Sequence, residues 1–366
     1  MNSRKETVII TMCGLVTGLI AVLLVRFGNP VNMGFCIACF LRDTAGALGL
    51  HKAASVQYIR PELIGLVLGA FVMALIRREF RPKGGSAPLT RFVLGFCVMI
   101  GCLAFLGCPF RMILRLAAGD LNALVGLAGF TCGIGVGIFF LSRGFSLGRS
   151  YTQPLTEGIV LPAIQVILLI LVIISPAFIA FSTSGPGSKH AAVIISLIAG
   201  LAVGGMAQYT RLCMVGGIRD LILFKEKKLI AGFIAIFVAA LVGNLCLGNF
   251  NLSFTQIGVV AHSDHLWNFL GMLLCGFGCV LLGGCPLRQL ILAGEGSSDS
   301  AITVLGLVIG AAFSHNFGLA GAAASRAEDG TISAGGVGTA GRIAVVCCLV
   351  ITLLIAVTNT FVRRKS

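Results

Sequence analysis

Apolar residues in this chain run in long windows and do not alternate with polar ones, and about 20 consecutive apolar residues is the length a helix needs to cross a bilayer. Such windows fall at 8–27, 63–76, 92–107, 121–141, 159–181, 191–208, 229–247, 266–283, 301–320 and 343–361. They predict an all-α polytopic membrane protein with about ten spans. The apolar runs are broken at Gly28-Asn29-Pro30, at Asn32-Met33-Gly34 and at Gly283-Gly284-Cys285-Pro286. Breaks of this kind predict short re-entrant or broken helices, which membrane depth tolerates only where protein buries them or they line an aqueous cavity.

Composition agrees with the pattern. Of 366 residues, 57% are hydrophobic and 11% charged, against about 25% charged in a soluble domain. Disorder, a secreted disulfide scaffold and a soluble dinucleotide-binding enzyme are excluded. The 49 glycines suit closely packed or broken membrane helices. The net charge of +14 is read first as a topology device, since Lys and Arg collect in cytoplasmic loops. With Arg4 and Lys5 inside and each span crossing once, four basic stretches all fall inside. These are 77–83, Arg143 with Arg149, 225–228, and the tail Arg363, Arg364 and Lys365. The acid-containing segments 262–264 and 324–330 fall outside. The expected location is a bacterial inner membrane with both termini cytoplasmic. The first span is expected to stay uncleaved, because no small-residue cleavage site follows Phe27. The expected surroundings are the lipid bilayer, with no nucleic-acid partner.

One offset relates the two halves. Cys36 is followed six and seven residues later by Arg42 and Asp43, and Cys213 likewise by Arg219 and Asp220. Gly101-Cys102 leads into Gly107-Cys108-Pro109-Phe110-Arg111, and Gly278-Cys279 leads into Gly284-Cys285-Pro286-Leu287-Arg288. Both correspondences have an offset of 177 residues, so the chain reads as a duplication. The first membrane repeat covers 1–150 and a linking span 151–189. The second repeat covers 190–340, and a last span with its basic tail 341–366. Five spans precede the second repeat, so it is expected to be inverted relative to the first. That architecture is typical of transporters with a site near the bilayer midplane.

Proline is favoured at the first helical position, so Pro109 and Pro286 predict half-helices with Cys108 and Cys285 at their N-caps. A helix N-terminus offers free N–H groups and partial positive charge, attracting anions and favouring thiolate. Arg111 and Arg288 follow one turn later, and charge at bilayer depth marks a substrate or ion pathway by default. The two Cys-Pro-x-Arg tips are expected to meet around one centre that suits a small anion rich in sulfur or selenium. Cys36 and Cys213 come next as path residues, and for Cys102 and Cys279 packing and function weigh about equally. Arg42 with Asp43, and Arg219 with Asp220, are read as ties holding a re-entrant segment to a neighbour.

For Cys13, Cys97, Cys132, Cys246, Cys275, Cys347 and Cys348 packing is the expected role, since free Cys behaves as a small buried hydrophobe. No metal site or cofactor is expected. The five histidines lack zinc spacing to any cysteine pair, and His262-x-x-His265 is placed in a solvated outer loop. No nucleotide-binding or Ser-His-Asp pattern is present, and the chain is not read as an enzyme. The alternatives are a membrane thiol oxidoreductase or a membrane subunit working with a soluble carrier. The oxidoreductase reading would use Cys36 with Cys39, or Cys102 with Cys108. The second repeat has Gly216 where Cys39 stands, and a spacing of six puts Cys102 and Cys108 on different helix faces.

The stretch Asn32-Met33-Gly34-Phe35-Cys36-Ile37-Ala38-Cys39-Phe40-Leu41-Arg42-Asp43, the paired Gly-Cys-Pro-x-Arg motifs and Thr210-Arg211-Leu212-Cys213 resemble the YeeE/YedE family of sulfur-transport membrane proteins. The nearest likeness is to its YedE-type selenium transporters. The resemblance implies an hourglass-like fold and inner-membrane uptake of a small sulfur or selenium compound. It implies a relay through S–H contacts at Cys36, Cys108 and Cys285, with Cys213 added through the repeat. It also leaves room for a small soluble sulfur-carrier protein as partner. Thiosulfate-type members tend to carry glycine-rich residues after Gly-Cys, where this chain has Pro109-Phe110-Arg111 and Pro286-Leu287-Arg288. Bulkier, charged flanks are expected to narrow the path and alter ligand choice; the resemblance alone favours a selenium species, and a thiosulfate-like anion stays open.

Overall fold

The computed structural model describes residues 3–255, 259–326 and 331–362. The basic tail at 363–365 and residues 327–330 of the expected outer segment lie outside them. The chain is helical throughout: α1 (Ser3–Arg26), α2 (Ile37–Ala47), α3 (Pro61–Ile76), α4 (Pro88–Ala104), α5 (Pro109–Ala117), α6 (Asn122–Ser142), α7 (Leu155–Ile174), α8 (Val193–Thr210), α9 (Met214–Phe224), α10 (Lys228–Cys246), α11 (His265–Leu282), α12 (Pro286–Gly294), α13 (Ser298–Asn316) and α14 (Thr339–Val357). Among the described residues nine helical segments are long and apolar enough to cross a membrane, and α3, at 16 residues, is a shorter apolar helix. The ten windows read from the sequence coincide with the ten long helices. The protein is an all-α polytopic membrane protein.

Helices α2, α5, α9 and α12 are the short ones, of 11, 9, 11 and 9 residues. Each of α9, α11 and α12 begins 177 residues after its counterpart α2, α4 or α5. Packing is reciprocal as well: α1 lies on α10 and α8 on α3, while α4 lies on α13 and α11 on α6. Glycines permit these close approaches. A Cβ at Gly129 would stand 2.1 Å from the Phe269 carbonyl oxygen, and one at Gly204 would stand 2.2 Å from that of Leu66. Helices in lipid gain little from apolar burial against one another, so backbone proximity is what packs them.

The loops gather at two ends. At one end Lys83–Gly84 pairs with Tyr151–Thr152, Lys228 bridges Glu6 and Glu226, and Gln208 bonds Glu79. At the other, Gly187 bonds Ser55, Asn251 bonds Ala118, and Asn316 bonds Leu50. His262 belongs to this second end and corrects the expectation of a solvated loop. It is buried, with Nε2 2.7 Å from the Ala104 carbonyl, and it closes the C-terminal end of α4. His265 opens α11 and is exposed.

Candidate functional site

The four short helices start at four cysteines. Cys36, Cys108, Cys213 and Cys285 are the N-caps of α2, α5, α9 and α12, all with extended backbone. Pro109 and Pro286 occupy the first positions of their helices, where a missing N–H costs nothing. Cys36 Sγ accepts from Cys39 N–H, and Cys213 Sγ accepts from Gly216 N–H, both at 3.4 Å. A thiol here takes the place of the usual Ser or Asp cap.

Each repeat brings its own two caps together. Ile37 N–H, next to Cys36 at the start of α2, donates to Cys108 Sγ at 3.2 Å. In the second repeat Cys213 Sγ and Cys285 Sγ lie 3.8 Å apart. The result is two tips, each with two helix N-termini converging on a pair of thiols. Each half-helix thus meets the short helix of its own repeat.

Between the tips lies a row of thiols. Cys102 on α4 is 3.5 Å from Cys275 on α11, and Cys275 is 3.9 Å from Cys279 one turn along. Cys102 lies on the last turn of α4 before the break that leads to Cys108, its carbonyl accepting from Gly107 N–H, and Cys279 lies likewise on α11 before Cys285, its carbonyl accepting from Gly284 N–H. Cys36, Cys39, Cys102, Cys108, Cys275, Cys279 and Cys285 are essentially inaccessible to solvent, and Cys213 nearly so. Cys275 therefore joins the candidate path although it reads as packing in the sequence. Its spacing of four from Cys279 was the available signal, since i and i+4 share a helix face. Cys102 contacts Cys275 and not Cys108. Cys132, Cys246 and Cys347 lie exposed on the outside, as packing-class cysteines can.

The two motif arginines part company. Arg111 is fully buried; Nε donates to the Asn32 carbonyl at 3.1 Å, and Nη1 reaches the Leu106 carbonyl and, at 3.7 Å, Cys39 Sγ. Leu106 ends α4 in the left-handed region at φ 60°, a position filled in the second copy by Gly283 at φ 80°. That conformation is strained for leucine, and the Arg111 contact pins it. Arg288 instead pairs with Glu295 at 3.0 Å. It faces a vestibule of about 330 Å³ lined also by Glu79, Arg81, Lys83 and Arg211.

Charged ties hold the tips in place. Asp43 accepts from Arg42 on one oxygen and from Arg60 on the other, fixing α2 to the start of α3. Arg219 and Asp220 pair at 2.8 Å but stay partly exposed. Arg115, one turn beyond Arg111, pairs with Asp120 at 2.7 Å and bonds the Phe105 carbonyl at 2.8 Å. Arg60, Arg115 and Asp120 were missed in the sequence, though charge inside an apolar stretch flags them. The first tip is also closed by rings: Phe35 stacks on Phe110 at 5.7 Å between centroids and meets Phe40 edge-on. Among the described residues no cluster of three potential metal ligands occurs.

Residues 209–366, which include α9 and α12 with their cysteine caps, match the family described as Sulphur transport. The thiosulfate transporter TsuA of Escherichia coli (strain K12) is 31% identical over 116 residues, a stretch covering 31% of this chain and 31% of that relative. The aligned part thus spans under a third of the relative's length. The likeness to sulfur-transport membrane proteins covers the second part of the chain, residues 209–366 with the α9 and α12 tip, and is a similarity over that part.

Proposed function

We propose that the protein is an inner-membrane permease for a small sulfur- or selenium-containing anion, handed between thiols along the row joining the two tips. The observation that carries this reading is the row itself. Cys36 and Cys108 stand at one end, Cys213 and Cys285 at the other, with Cys102, Cys275 and Cys279 between. A thiol can donate through S–H and accept weakly at sulfur, so each contact is weak. Weak, multiple sites favour passage, because a ligand must leave as readily as it enters. The converging N-termini of α2 with α5, and of α9 with α12, supply positive potential at both ends.

In this reading the second repeat is inverted and the tips open to opposite sides. The end carrying Arg81, Lys83, Arg211 and Lys228 is cytoplasmic by its basic charge, and both termini lie there. The Cys213–Cys285 tip then faces the inner vestibule. The Cys36–Cys108 tip faces outwards behind Phe35 and Phe110. This aromatic closure and the Pro-Phe-Arg flank argue for a ligand other than thiosulfate, with a selenium species favoured. The vestibule also offers a basic surface where a small soluble sulfur carrier can receive the cargo.

The test is uptake of labelled thiosulfate, selenite and selenocyanate into cells lacking their own carriers, comparing wild type with Cys108→Ser and Cys285→Ser. Uptake lost in both variants, with membrane insertion intact, is the expected result. Normal uptake in both overturns the relay.

A further inference from the structure

Arg111 is a buried cation without a counter-ion. Its side chain is wholly inaccessible, and among the described residues no carboxylate pairs with it. Nη2 has no hydrogen-bond partner, and neither has Oδ1 of Asn32, the residue whose carbonyl holds Arg111 Nε. The other fully buried guanidiniums each meet a carboxylate: Arg42 and Arg60 share Asp43, and Arg115 is met by Asp120. Arg115 Nη2 is unpaired as well, but the charge of Arg115 is already answered.

An unpaired guanidinium in a low-dielectric interior is costly unless something neutralises it. Here it lies on the first turn of α5, the helix that Cys108 caps, with Nη1 3.7 Å from the Cys39 thiol. The counterpart Arg288 pairs with Glu295, so among the described residues the unpaired motif guanidinium belongs to the first tip and not to the second.

We infer that Arg111 is the charge-selecting residue of the permeation path, and that the ligand entering the Cys36–Cys108 tip is a singly charged anion ending in sulfur or selenium. The inference rests on the transport reading above. One negative charge leaves the tip neutral, with Arg111 Nη2 donating to the anion and the Cys36, Cys39 and Cys108 thiols touching its chalcogen end. A dianion such as thiosulfate leaves one negative charge buried and unanswered. The thiols select for a soft atom, and Arg111 selects for charge.

Selenocyanate and thiosulfate separate the two charges. Binding of each, radiolabelled, is measured by equilibrium dialysis to the purified protein in nanodiscs. Wild type is compared with Arg111→Gln and with Asn32→Asp, which sets a carboxylate beside the guanidinium. Wild type is expected to bind selenocyanate at least about tenfold more tightly than thiosulfate. Both variants should bind it about 10- to 100-fold more weakly, the loss of a charge-assisted hydrogen bond. Asn32→Asp should melt no lower than wild type, which separates lost binding from lost folding. Equal affinity for the two anions, unchanged binding in Asn32→Asp, or binding of neither anion overturns the inference. Cellular uptake of both anions alike, abolished by Cys285→Ser, would overturn charge selection and leave the transport reading standing.

Discussion

Asp43 and Asp220 occupy the same place in the two repeats, yet their removal should have different costs. Asp43 accepts three short hydrogen bonds, from Nε and Nη2 of Arg42 at 2.8 and 2.7 Å and from Nε of Arg60 at 2.8 Å, and Arg60 Nη2 adds an ion-pair contact at 2.7 Å. Asp43 and Arg60 are 0% exposed and Arg42 2%. In Asp43→Asn the amide oxygen still accepts from one guanidinium, but its NH₂ confronts the other, and two buried cations lose their neutralising charge. Breaking a buried pair by removing one partner costs about 3–5 kcal/mol. Asp220 pairs only with Arg219, and the two side chains are 17% and 25% exposed, so solvent screens the loss to about 1 kcal/mol or less. At roughly 2 °C per kcal/mol, thermal unfolding in detergent should fall by about 6–10 °C for Asp43→Asn and by about 2 °C or less for Asp220→Asn. Uptake should follow, because Asp43 fixes the helix that carries Cys36. Equal shifts in the two variants, or a larger one for Asp220→Asn, would refute the argument that burial decides the cost.

Other outcomes follow from the same geometry. Gly34→Ala would place a Cβ 1.9 Å from the Ala21 carbonyl oxygen. That should displace the segment entering Cys36 and abolish uptake, while Gly205→Ala, whose nearest neighbour would be 3.6 Å away, should transport normally. A maleimide should modify Cys246, exposed at the end of α10, before the buried thiols; peptide mapping that finds Cys36 or Cys285 modified as fast would contradict their burial. Acidification should destabilise the protein through His51 and His262, both in loops outside the spans and both held below the ordinary 6.5 by burial. Their folded forms bind fewer protons than the unfolded chain, so stability is full above about pH 6.5 and falls as pH drops below it. Melting curves between pH 7.5 and 5 (~0.5-unit steps) should show this decline, with a weaker one in His51→Gln/His262→Gln.

The spans were legible because a bilayer demands uninterrupted apolar length, and that demand leaves a mark in sequence that no tertiary contact can override. The four cysteine-capped helices were legible in part. Pro109 and Pro286 announce their helices, and the offset of 177 residues announces that the tips come in pairs. Which thiol meets which was hidden, since Cys36–Cys108 and Cys213–Cys285 are set by how α2 and α9 fold back, and no local propensity encodes that return. His262 was misplaced for a related reason. A histidine in a polar loop reads as solvated, and only the approach of the Ala104 carbonyl buries it.

The repeats share a chain trace but have diverged in how their breaks are held. In the first copy Leu106 sits at a left-handed position with its carbonyl held by Arg111, and the Phe105 carbonyl is bonded by Arg115. In the second copy glycine fills the left-handed position, and the uncharged Gln289 amide bonds the Leu282 and Gly284 carbonyls. Two buried guanidiniums therefore brace one tip, and a neutral amide braces the other. Charge held rigidly at one end can select an anion, while the end braced by glycine and an amide opens on a vestibule where Arg288 already has its partner. A symmetric pore would bind its ligand equally at both tips. Exchanging the braces tests this asymmetry: Leu106→Gly with Met112→Gln gives the first tip the neutral brace of the second. If anion binding persists in that variant through Arg111, the guanidinium selects by its charge; if binding is lost, its role depends on the strained turn it holds.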